Sequence, residues 1–92
     1  MLEKIKLALR ISNTAYDTDI LDLIEEAKAD MKLVGILENK IVDTDALIVR
    51  TVKTYCKANF GWNNPDAARL QQSYEAIRNH LSMSIEYTVE VV

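Results

Sequence analysis

An all-α fold is what this sequence predicts, a compact bundle of about four helices followed by an extended C-terminal arm. Three observations carry the expectation. Four segments repeat apolar residues at spacings of three and four, the period of a helix with one buried face. Alternation with a period of two occurs only in the final stretch, MSIEYTVEVV. Gly35, Gly61 and Pro65, the only glycines and proline, all fall between the periodic segments rather than inside them.

The first segment is short: Leu2, Ile5 and Leu9, with Lys4, Lys6 and Arg10 between them, make two to three amphipathic turns. SNTAYDTD interrupts it, and Asp17 stands where a helix cap belongs. A second helix is expected from Thr18 to Val34, with Ile20, Ile24, Ala27, Met31 and Val34 on one stripe and Gly35 as its C-terminal stop. Asp19, Asp22, Glu25, Glu26 and Asp30 crowd its other side. GILENKIVD reads as a loop whose apolar residues dock back on the core.

A third helix begins with Asp43 or Thr44 as cap and runs to about Asn59, carrying Ile48, Val52 and Tyr55 inward. Arg50, Lys53 and Lys57, spaced by three and four, share its outward face. The corner that follows, NFGWNNPD, is dense in unusual residues, and each has a role as punctuation. Gly61 stops the third helix, Asn64 caps the fourth, and Pro65 takes the first helical position, where its missing N–H costs nothing. Phe60 and Trp62 are expected to plug the corner. The fourth helix carries Leu70, Tyr74, Ile77 and Leu81 and ends near Ser82. The chain thus divides into a helical domain, residues 1–84, and an arm, residues 85–92. In the arm Ile85, Tyr87, Val89 and Val91 alternate with polar residues, the pattern of an edge strand. Such a segment can fold back along the helices, stay mobile, or add to a neighbouring subunit.

At 92 residues the chain fits one small domain, and 49% hydrophobic residues against 27% charged give it a modest core. Small helical domains often gain stability by associating, so an oligomer is expected from size alone. A net charge of −3 argues against a protein whose main work is neutralising phosphates. One cysteine cannot form an internal disulfide, and no CxxC or Cys/His pair offers a zinc site. The N-terminus lacks the apolar run of a signal peptide, and no stretch approaches a membrane span. A reducing cytoplasm is the expected setting, with no membrane partner.

No residue set points to catalysis, a metal or a cofactor. Cys56 lies at the edge of an apolar stripe with the only histidine, His80, on another helix, so it reads as a buried structural thiol. His80 alone makes a poor metal site. The carboxylates of the second helix spread around an exposed half-cylinder and read as a solvated face. No phosphate loop, nucleophile elbow or HExxH motif occurs. The basic face of Arg50, Lys53 and Lys57 has three readings: a solvated face, a nucleic-acid contact in a small helical DNA-binding or regulatory protein, or one half of a contact between copies. In the last, Asp19, Asp22, Glu26 and Asp30 meet Arg50, Lys53 and Lys57 of the next copy head to tail, a contact that closes into a ring where the rotation permits.

Taken in order, KIKLALRI, YDTDILDLIEEAKADMKLVGI, DALIVRTVKTYCKANFG, a Pro-Asp start and ARLQQSYEAIRNHLSMSIEY resemble the small head-tail connector proteins, often labelled DNA-packaging proteins, of tailed phages and prophages in Gram-positive bacteria. The resemblance covers nearly the whole chain. It implies an all-helical fold, a structural role without enzymatic activity, and a ring of about twelve subunits docked beneath the portal after genome packaging. Such a ring extends the DNA channel and offers a platform to a head-closure or tail-completion protein. The DNA passes through without sequence-specific binding. It further implies a place at the virion neck, reached from the host cytoplasm during assembly, and a portal-docking role for Ile85 to Val92. The acidic residues of the second helix would then face the next subunit or line the channel.

Overall fold

The structure, a computed structural model, describes residues 1–90, and among these every regular element is helical. Helix α1 spans Leu2–Leu9, α2 Asp17–Leu33, α3 Ala46–Asn59 and α4 Ala67–Ser82. A 3₁₀ turn, Glu38–Lys40, lies in the loop between α2 and α3, and a single closing turn, α5, spans Ile85–Thr88. The predicted all-α bundle is therefore the observed fold.

Helix α3 is the axis of the molecule. It packs on α1, α2 and α4, most extensively on α4, its antiparallel hairpin partner. The core runs through the expected stripes at Ile20, Ile24, Ala27 and Met31 of α2, Ile48 and Val52 of α3 and Leu81 of α4. On α3, however, Cys56 rather than Tyr55 completes it, with Tyr55 and Ile77 only partly buried against the cluster. Ile5 joins from α1, and Ile36 and Ile41 dock from the loop, as their apolar character requires. The α2 terminus shows why Gly35 stands where it does. Its φ is +98°, its amide donates to the Lys32 carbonyl, and the Ile36 amide reaches back to Met31 while the Ile36 side chain enters the core.

Four local expectations need correction. Asp17 does not cap α2; it opens the helix, and its Oδ1 lies 2.9 Å from the buried Lys6 ammonium, an ion pair off the hydrogen-bonding angle. The cap of α3 is Asp45 rather than Asp43 or Thr44: its Oδ1 accepts from the Leu47 and Ile48 amides at 2.9 and 3.2 Å. Helix α4 starts two residues beyond Pro65, because Asn64 uses its side chain to close the corner instead of capping a helix. Its Nδ2 donates to the Lys57 carbonyl at 2.7 Å and its Oδ1 accepts from the Asp66 amide at 3.0 Å. Trp62 plugs nothing, since it is 99% exposed; Phe60 alone turns inward, edge-on to Tyr16 at 5.6 Å.

The largest departure is the C-terminal segment. Ile85–Thr88 is a helical turn rather than an extended arm. Tyr87 is buried, its carbonyl accepts from the Leu37 amide at 2.9 Å, and its hydroxyl donates to Asp45 Oδ2 at 2.9 Å. The alternation of Ile85, Tyr87 and Val89 reflects one inward ring flanked by two exposed side chains, with Ile85 78% and Val89 53% exposed. Val91 lies outside the described residues.

Candidate functional site

The acidic stripe of α2 separates into two parts with different work. Asp30 is engaged inside the molecule: Arg78 Nη1 donates to its Oδ2 at 2.8 Å, and the Tyr74 hydroxyl donates to the same oxygen at 2.6 Å. Burial alone would raise the Asp30 carboxyl, but these two hydrogen bonds and the Arg78 charge outweigh it and hold it below the usual carboxylate range. The Arg78 guanidinium also lies 5.6 Å from the Tyr74 ring centre, and Tyr74 meets Tyr55 edge-on at 4.9 Å. Tyr55 in turn donates to Glu26 at 3.4 Å. This network fastens α2 to α3 and α4, so Asp30 is a structural residue and not a free surface charge. Arg78 was missed in the sequence, although its spacing of four from Tyr74 puts both on one face of α4.

Asp19, Asp22 and Glu26 are exposed and line a groove of about 510 Å³ with Tyr16, Phe60 and Trp62. The α3–α4 corner forms its other wall. The groove is thus acidic along one side and aromatic along the other.

Arg50, Lys53 and Lys57 look away from it. Arg50 and Lys57 stand nearly opposite the buried stripe of Ile48, Val52 and Cys56 on α3 and are exposed, while Lys53 lies at its flank, half-buried in a cleft shared with Val49. Arg50 borders a cleft against α4, and Lys53 one beside Lys4 and Asp43. No carboxylate among the described residues pairs with any of the three. Asp19, Asp22 and Glu26 thus lie along the groove without Asp30, and Arg50 and Lys57 lie exposed on α3 with Lys53 half-buried beside them.

Cys56 is fully buried, and burial, then the Glu26 charge, push its thiol up to about 12. Among the described residues no three His, Cys, Asp or Glu side chains converge as metal ligands, and no helix is long and apolar enough to cross a membrane.

What the fold and its faces define is a class: a small helical adaptor domain whose distinctive features are surfaces. The chain belongs to the phage connector protein family, whose model matches residues 1–88. A connector-type structural role in the virion, in contact with other phage head and tail proteins, comes with that membership. No curated protein and no solved structure matches the chain significantly.

Proposed function

We propose that this chain is the repeating subunit of a connector ring that docks on the portal after DNA packaging, extends the DNA channel, and presents a platform for a head-closure or tail-completion protein. The observation that carries the reading is an acidic face on α2, formed by Asp19, Asp22 and Glu26, and a basic face on α3, with no ion pair to either among the described residues, on a connector-family fold. The three carboxylates line the groove at the α3–α4 corner, while Arg50 and Lys53 border separate clefts beside α4 and α1. Different surfaces that complement each other build heterologous contacts, and such contacts close into rings. By analogy with portal symmetry the ring has about twelve subunits. At the portal side the exposed Ile85 and Val89 supply the apolar contact, while Tyr87, held in the core, supports the turn that presents them.

The test is charge reversal with rescue. Asp19→Lys with Asp22→Lys, or Arg50→Glu with Lys53→Glu, should each abolish assembly on the portal, and an equimolar mixture of the two variants should assemble mixed pairs. Duplex DNA retardation at physiological salt that is lost when Lys53 and Lys57 are neutralised would replace this reading with that of a small DNA-binding regulator.

A further inference from the structure

Two features of the surface are left without a structural purpose. The first is Trp62, whose indole is almost wholly in water although burial of so large an aromatic is strongly favourable. It stands at the corner between α3 and α4, across the groove from Asp19, Asp22 and Glu26. The second is an apolar cleft of about 320 Å³ between the start of α3 and the end of α4. Leu47, Ala76, Ile77 and Leu81 line it, with the exposed Arg50 and His80 as its polar residues. Leu47 is 49% exposed there, an apolar side chain with no cover.

We propose that the two features are partners: Trp62 of one copy seats in the Leu47–Ile77 cleft of the next. This rests on the ring reading above and names the contact that would build it. The cleft is at the lower end of volumes that seat small ligands, room for one indole. Charge decides the occupant. An aromatic knob carrying three carboxylates beside it fits a hole that carries a guanidinium, and both belong to the same chain. Arg50 then lies over the indole face, the geometry of a cation–π contact, while Asp19 and Asp22 approach Arg50 and Lys53. Knob and hole lie roughly 20 Å apart along α3, at 1.5 Å per residue, so one copy cannot satisfy its own cleft. Joined head to tail, a pair of copies leaves a hole free at one end and a knob at the other, so the contact propagates and closes into a ring where the rotation permits.

The experiment uses full-length chain, free and with portal rings. One preparation carries Asn63→Cys and the other His80→Cys; both positions are exposed, and the native Cys56 is buried. A short bis-maleimide should join the mixed preparations and leave each alone as monomers. Trp62→Ala, and Ala76→Arg at an exposed position on the cleft wall, should each raise the concentration for half-maximal cross-linking about thirtyfold, equivalent to about 2 kcal/mol at a hot-spot residue. Circular dichroism of both variants should match wild type. Wild-type-like association of Trp62→Ala, or cross-linking of Asn63→Cys with itself, overturns the knob-and-hole contact and leaves the ring reading standing. Absence of self-association in the wild-type chain, free and on portal rings, overturns both.

Discussion

Cys56 and Asp30 are two residues whose ionisation the fold controls in opposite directions. Burial first, then the Glu26 charge, raise the thiol, so Cys56 is un-ionised at neutral pH and shielded from reagents. Thiol labelling at pH 8 should run at least about a hundredfold slower in the native protein than in urea. A fast native rate would show the core open. For Asp30 the folded state lowers the carboxyl below its unfolded value, because the bonds from Tyr74 and Arg78 outweigh desolvation. A depressed carboxylate contributes stability that is present above the unfolded value of about 4 and is lost as the pH falls through the folded one. Asp30→Asn should therefore be less stable than wild type at pH 7, and urea melts should show that gap closing below about pH 4. A gap constant down to pH 2 would contradict the assignment. The acidic run of α2 was legible in the sequence, but which carboxylate is spent inside the molecule was not. That depends on Tyr74 and Arg78, more than forty positions away.

At the scale of elements, the helices were legible where one face is apolar. Ile20, Ile24, Ala27 and Met31 could meet the core only from a helix, as could Ile48 and Val52, although the inward place expected of Tyr55 falls to its neighbour Cys56. The closing turn was not. Over Ile85 to Val89 a period of two and a single helical turn with one buried ring predict nearly the same pattern, and only the docking of Tyr87 decides between them. Asp45 makes that docking possible by serving two elements: Oδ1 caps α3 while Oδ2 receives the Tyr87 hydroxyl. Burial, then the Asp45 bond and charge, push the phenol up to about 12, so it remains a donor throughout the working range. Asp45→Ala removes a cap worth about 0.5–2 kcal/mol and the partner of a buried hydroxyl. Tyr87→Phe removes only the latter. Chemical denaturation should show that the two losses do not add, Asp45→Ala costing less in the Tyr87→Phe background. Additive losses would mean that the Tyr87–Asp45 bond contributes nothing. Removal of everything after Ser84 should destabilise the bundle by taking Tyr87 from the core, so Ile85→Asp with Val89→Asp is the cleaner probe of portal contact.

Across the whole molecule, opposed charge was readable in advance because Arg50, Lys53 and Lys57 share one helical face and the carboxylates of α2 another. The exposure of Trp62 was not, since an aromatic beside a glycine corner is ordinarily a plug, and only the path of residues 60–66 turns it outward. Membership in the connector family, opposed faces and an uncovered apolar cleft support one account, a subunit completed by copies of itself on a symmetric template. Its central claim is tested most directly by mixing purified chain with portal rings, sedimenting the complex, and measuring copies bound per ring by native mass spectrometry. The account predicts all-or-none loading near about twelve copies, with few partly filled rings, because each seated copy offers its neighbour a second contact. No binding, or independent filling with a binomial spread of copy numbers, would contradict it.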